Sequence, residues 1–282
     1  MNANYQPKTP AIKDWLKTSI NQLKESGFDT PSLDTEVILA HTIKKGRTYL
    51  HAHGDDVLDI KSLEIADARL ALRLDHVPIA YIIGHKEFYG RKFKVTTATL
   101  IPRPESEVII DLLKELTATQ TLFVENTKRL VDVGTGSGCL GITAKLEFPE
   151  LDVTLLDISS QALMVAKQNA RLLDAQVTLL KSDLLTDYDF QPDIILANLP
   201  YVDKTWDRSP ETNHEPEISL FALQDGLAII NKLIIQASLK LGTGGVILLE
   251  ADTRQHKKII EFASHNGFEL IKAKGLCIAL KL

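Results

Sequence analysis

The chain has 282 residues, 44% of them hydrophobic and 24% charged, an ordinary globular composition with length enough for two domains. Its net charge of -5 argues against a general nucleic-acid binder, which carries a basic face. Two cysteines, Cys139 and Cys277, with no paired spacing exclude a disulfide framework or a zinc motif and suit a reducing, cytoplasmic compartment.

The N-terminal stretch MNANYQPKTP is polar, with no apolar signal region. No run approaches the roughly 18 apolar residues of a membrane span. Ile12, Trp15, Leu16, Ile20 and Leu23 then recur at helical spacing, with Gly27 as a stop. Leu33, Val37, Ile38, Leu39 and Ile43 predict a second helix ending near Gly46, and Leu63, Ala66, Leu70 and Leu74 a third. Residues 1–77 are therefore expected to form a small helical domain. In VPIAYIIGHKEFYGRKFKV, Tyr89-Gly90-Arg91 lies between β-prone runs and predicts a hairpin. Residues 78–98 read as a connector.

From residue 99 a larger domain is expected to run to residue 282. Strands are predicted near 129–133, 153–157, 176–180, 193–197 and 245–250, and helices near 138–147, 159–173, 226–241 and 254–265. Such alternation implies a doubly wound parallel sheet. The final runs FELIKA and LCIALKL are separated only by Lys274 and Gly275. No crossover helix fits between them, so these two strands should be antiparallel. An α/β fold of seven strands with a reversed last pair resembles the class I S-adenosylmethionine-dependent methyltransferase sheet.

RLVDVGTGSGCLGI places Gly134, Thr135, Gly136, Ser137 and Gly138 between a strand and a helix, the position of a nucleotide-binding loop. Gly136, Gly138 and Gly141 also satisfy G-x-G-x-x-G, and Asp157 ends the next strand, where an acid holds ribose hydroxyls. A nicotinamide dehydrogenase thus competes on this motif. A pyrophosphate favours a helix N-terminus free of acids, yet Asp132 closes the strand and no Lys or Arg lies between Val131 and Thr143. S-adenosylmethionine has no phosphate and carries a sulfonium and an ammonium, which a nearby carboxylate favours. Asp183 and Leu184, after the third strand, are placed to hold the adenine amine and pack its ring. For Asp183 a loop or cap acid is an equal reading.

The fourth strand of this sheet ends in Asn198-Leu199-Pro200-Tyr201. Ligands of open parallel sheets bind beyond the carboxyl ends of the strands. An amide offers one acceptor and two donors, so the Asn198 oxygen and a backbone carbonyl near Leu199 or Pro200 can receive the two hydrogens of a substrate NH2. Tyr201 is expected to pack on its planar face, and Pro200 to stiffen the turn. A plain strand stop is the bland alternative.

These motifs, with PIAYIIGHKEFYGRKFKV, LIPRPESE (100–107) and HEPEISLFALQDGL (214–227), resemble the release factor glutamine methyltransferases, the PrmC/HemK family, over nearly the whole chain. The resemblance implies methylation of the glutamine amide in the Gly-Gly-Gln loop of bacterial class I peptide chain release factors, with S-adenosylmethionine as cofactor. It places Gly134 to Gly138, Asp157, Leu184 and Asn198 at the cofactor and Asn198 to Tyr201 at the glutamine. The family motif is Asn-Pro-Pro-Tyr, and Leu199 departs from it. No catalytic role is assigned to Arg103 or Glu105, since Pro104, Glu105 and Glu107 also suit the first turn of a helix.

An amine methyltransferase acting on adenine or guanine in RNA or DNA is the alternative, because the Asn-Leu-Pro-Tyr chemistry is shared. The chain's acidity and its helices preceding the sheet weigh against it. His51 and His53 lack a third ligand, so no metal is expected. A monomer whose helical domain docks the protein substrate is expected.

Overall fold

The computed structural model describes residues 9–119, 128–223 and 225–282. The chain divides into two compact units, one through Gly84 and one from His85.

The first unit is helical: α1 Ile12–Glu25, α2 Pro31–Ile43, α3 Arg47–Ala52, α4 Ile60–Leu74 and α5 Ile79–Ile83. Ile12, Trp15 and Leu23 of α1, Ile38 and Leu39 of α2, and Ala66 and Leu70 of α4 share one buried cluster. Pro31 stands at the first turn of α2, where its missing N–H costs nothing. The Asp59 side chain caps α4 by accepting from Ser62 N at 2.9 Å. Arg73 donates to Asp34 at 2.7 Å with both side chains buried. The unit ends seven residues beyond the expected 77 because α5 follows Val77-Pro78.

The second unit opens with a hairpin, β1 His85–Phe88 and β2 Arg91–Lys94. The hairpin belongs to this unit and is not a separate connector. Asn169 accepts from Lys94 N at 2.7 Å and donates to Lys94 O at 2.9 Å. There follow α6 Glu107–Ala118, β3 Arg129–Val133, α7 Cys139–Glu147, β4 Asp152–Asp157, α8 Ser160–Leu172, β5 Thr178–Lys181 and β6 Ile194–Ala197. The rest is α9 Glu217–Leu220, α10 Ala228–Lys240, β7 Val246–Glu250, α11 Thr253–His265, β8 Glu269–Lys274 and β9 Cys277–Lys281.

Seven strands form one sheet in the order β5-β4-β3-β6-β7-β9-β8. β3 to β7 pair in parallel, and β9 is antiparallel to both β7 and β8. Alternate strand residues feed two cores. Leu130, Val153, Leu155, Ile194, Leu196 and Leu248 pack with α6, α7 and α8. Val131, Leu156, Ile195, Ala197, Ile247 and Leu249 pack with α10 and α11. Helices on both faces explain why these strands are continuously apolar. From β3 the chain runs outward to β4 and β5, then returns to β6 on the other side of β3. The crevice at that reversal is where open sheets bind ligands.

Candidate active site

The loop after β3 and the segment after β6 face each other across this crevice. A cavity of about 240 Å³ lies there. Gly134, Thr135, Gly136 and Ser137 line one side, with Asp157, Asp183 and Leu184 beyond the neighbouring strands. Asn198, Leu199 and Pro200 line the other. Gly138 and Tyr201 are not among the lining residues.

Gly134 has φ +71°, and a Cβ on it would stand 2.7 Å from Leu199 Cδ2. Only glycine lets this backbone turn beneath Leu199. Gly141 has a different task. A Cβ there would stand 2.3 Å from Leu155 Cδ2 and 2.8 Å from Asp132 Cβ. The third glycine of the nucleotide-like spacing therefore serves close packing of α7 on the sheet.

Asp132 does not line the cavity, contrary to a direct role beside the ligand. It is buried and clamps the loop, its Oδ2 accepting from Thr135 Oγ1 at 2.6 Å and Gly141 N at 2.9 Å. Its Oδ1 is buried without a partner among the described residues, and burial pushes its carboxyl up to about 6. Asp157 reaches back across the loop, accepting from Gly136 N at 2.9 Å and Ser159 N at 2.8 Å. Burial raises its carboxyl above the ordinary aspartate value despite these two bonds. Asn169 donates to Ser137 O at 2.8 Å, tying the loop to the hairpin.

Asp183 is half exposed and paired with Lys232. Leu184 is buried at φ +54°, an uncommon backbone for a branched side chain. Two cations, Arg103 and Lys232, line the cavity, although the glycine segment itself has none. Arg103 pairs with the buried Glu215, so each cation faces a carboxylate. Glu215 also accepts from Ile101 N at 3.1 Å, joining the 101–103 segment to the segment before α9. Glycine backbone at positive φ, the Asp157 carboxylate and cations already paired fit a phosphate-free, cationic nucleoside such as S-adenosylmethionine better than a dinucleotide.

Asn198 Nδ2 donates to Ser106 Oγ at 2.8 Å. Ser106 Oγ donates to Glu250 Oε2 at 2.5 Å, and Tyr201 Oη donates to Glu250 Oε1 at 3.0 Å. Tyr201 is thus turned toward Glu250, and burial with the Glu250 charge raises its phenol strongly. Burial also raises the Glu250 carboxyl, which hydrogen bonds from Ser106, Tyr201 and Asn198 partly offset. Gln255 Nε2 donates to Tyr201 O at 2.8 Å and Asp225 O at 2.7 Å, so the Tyr201 carbonyl is already engaged. The sequence reading did not single out Ser106, Glu250, Glu215 or Gln255. One signal was present: Glu250 closes an apolar strand, as Asp132 and Asp157 bear on theirs. Among the described residues no acid, histidine or cysteine group could hold a metal ion.

Residues 14–84 match the PrmC N-terminal domain model, and residues 110–214 match the methyltransferase small domain model. A release factor glutamine methyltransferase of Koribacter versatilis is 36% identical over 85% of this chain and 85% of its own length. One of Salmonella typhimurium is 34% identical over 91% of each chain. This chain belongs to the release factor glutamine methyltransferase family. A bifunctional methyltransferase of Rickettsia bellii is 31% identical over 92% of this chain, which spans 51% of that protein. The fold also matches the solved hMettl16 catalytic domain, at 16% identity and TM-score 0.50 over 78% of this chain and 80% of that one. A 16S rRNA guanine methyltransferase of T. thermophilus matches at 17% and TM-score 0.50 over 70% and 48%. The seven-stranded sheet described above thus shares its fold with these methyltransferases. No helix among the described residues is long and apolar enough to cross a membrane.

Proposed function

We propose that the protein transfers a methyl group from S-adenosylmethionine to the side-chain amide of the glutamine in the Gly-Gly-Gln loop of class I release factors, acting as a monomer in the cytoplasm. One observation carries this reading. Asn198 spends its NH2 on Ser106, so its oxygen is the end left for the cavity that the glycine loop lines. A primary amide needs such an acceptor.

When bound, S-adenosylmethionine supplies an electrophilic methyl on its sulfonium. Gly134 to Ser137 would give backbone access to its methionine part, with Gly138 shaping the turn behind them, Asp157 would hold its ribose hydroxyls, and Asp183 and Leu184 would hold its adenine. The Asn198 oxygen takes one hydrogen of the substrate NH2, and the Leu199 or Pro200 carbonyl takes the other, since that of Tyr201 is engaged. An amide nitrogen is a weak nucleophile because its lone pair is delocalised. Two accepted hydrogen bonds draw density onto the nitrogen and aim it, an orientation effect that acts in the transition state; the nitrogen, made acidic by methylation, then releases one N–H proton to water. Tyr201 supports this from behind, through Glu250. The helical unit, which has no catalytic constellation of its own, helps dock the release factor.

Radiolabelled methyl transfer to a purified release factor and to its Gln→Ala variant tests the reading. The intact factor is labelled and the variant is not. Label entering adenine or guanine of RNA instead supports the nucleic-acid alternative. In single-turnover transfer at saturating cofactor, Asn198→Ala loses at least tenfold in rate. An unchanged rate reduces Asn198 to a strand stop.

A further inference from the structure

Glu250 is 2% exposed and ends β7. Its two oxygens receive two hydroxyls, from Ser106 and from Tyr201, and the Asn198 side chain adds a weaker contact of its own. An ionised carboxylate only accepts, and a serine hydroxyl has one hydrogen to give. Ser106 gives that hydrogen to Glu250, so toward Asn198 its oxygen can only accept. Asn198 must then meet Ser106 with its NH2, as it does at 2.8 Å. The direction of each hydrogen bond is set by the one before it, and the sequence starts at the carboxylate. Ser106 stands at the start of α6 yet makes no capping bond there, so its hydroxyl is committed to this chain.

We infer that Glu250 is a positioning residue: through Ser106 it holds the Asn198 amide with its oxygen toward the substrate, and so makes the site select a hydrogen-donating amide over a carboxylate. The inference rests on the reading of Asn198 given above.

A neutral side chain of the same shape reverses the order. In Glu250→Gln, the Tyr201 hydroxyl donates to the new amide oxygen and the new NH2 donates to Ser106. Ser106 then turns its hydrogen to Asn198, whose amide flips and presents NH2 to the cavity. Every group inside the reversed network keeps a partner.

The probes are a purified release factor and its Gln→Glu variant, each titrated against protein saturated with S-adenosylhomocysteine, together with single-turnover methyl transfer to the intact factor. The parent binds the glutamine form at least about tenfold more tightly. Glu250→Gln removes or inverts that preference and slows transfer by about a hundredfold. Removing a negative charge alone also favours a glutamate, so Ser106→Ala is the control: it leaves Glu250 charged but removes the hydroxyl link to Asn198, and it weakens the preference too. Ser106→Thr, which keeps the hydroxyl, restores what Ser106→Ala loses. A Glu250→Gln protein that discriminates and transfers like the parent overturns the inference, as does full discrimination in Ser106→Ala, which decides the matter if Glu250→Gln fails to fold. A parent that methylates no release factor overturns the proposed function instead.

Discussion

Leu199 lies directly over Gly134, its Cδ2 standing 2.7 Å from where a Cβ on that glycine would be. The residue that departs from the family's Asn-Pro-Pro-Tyr therefore packs against the glycine loop and lines the cavity with it. Gly134→Ala forces both a methyl against Leu199 and a side chain at positive φ. Cofactor affinity should fall by tenfold or more, read by calorimetry with S-adenosylhomocysteine.

Leu199 is 4% exposed, so replacing it bears on packing. Leu199→Ala should cost about 2–5 kcal/mol of stability, the usual range for a buried leucine. Leu199→Pro fixes φ near a value turns use but leaves part of the space over Gly134 empty. It should retain methyl transfer while losing about 1–3 kcal/mol of stability. Urea unfolding and single-turnover transfer on the same samples separate the two effects.

Asp157 joins the glycine loop to the start of α8 through Gly136 N and Ser159 N. Asp157→Ala removes both bonds and the proposed contact with ribose hydroxyls. Calorimetry should show S-adenosylhomocysteine binding weakened by about 1.5–3 kcal/mol, the range for bonds to a charged group. Unchanged affinity removes Asp157 from the site.

Burial pushes the Asp132 carboxyl up from the ordinary aspartate value of 3.8 to about 6. The folded state holds this proton more tightly than the unfolded chain does. Its contribution to stability is complete below about pH 4 and is lost as pH rises through about 6. The difference of about two pH units corresponds to at most about 3 kcal/mol. Asp132→Asn can place its oxygen on Thr135 and Gly141 and does not titrate. Unfolding free energies at pH 4.5 and 7.5 should show the parent losing stability relative to this variant. Parallel pH dependence in the two proteins contradicts the assignment.

The helical unit can be tested as a docking element by deleting residues 1–84, where the structure puts the boundary. The remaining protein should bind S-adenosylhomocysteine with parent affinity and methylate an intact release factor at least tenfold more slowly. Transfer at the parent rate removes the docking role.

The sheet was legible because its strands are buried on both faces and read as unbroken apolar runs such as Ile194 to Ala197, punctuated by helical periods. The glycine loop was legible by its spacing. The helices Arg47–Ala52 and Ile79–Ile83 were not, since five or six residues are too short to display a period. The hairpin's membership depends on Asn169, which bonds to Lys94 from 75 residues away. Ser106 was hidden by its position, because a serine before a helix reads as a cap. Tyr201 adjoins Asn198 in sequence, but its hydroxyl answers to Glu250, which lies 49 residues further on. Charge along the 131–143 segment gave no hint that Arg103 and Lys232 arrive from elsewhere, each with its own acid.

Strand β9 sits between β7 and β8, both of which precede it in the chain. While the protein is being made, β7 therefore emerges from the ribosome with one open edge and must wait until residue 281 has been joined. At about 5–20 residues per second, that interval is on the order of seconds. Val246 to Leu249 are wholly apolar and buried in the finished sheet, and an unpaired apolar edge is a template for association with other chains. β8, which among the described residues pairs with β9 and not with β7, does not cover it. The nascent chain thus keeps this apolar edge uncovered even when all but one strand of the sheet has been synthesised.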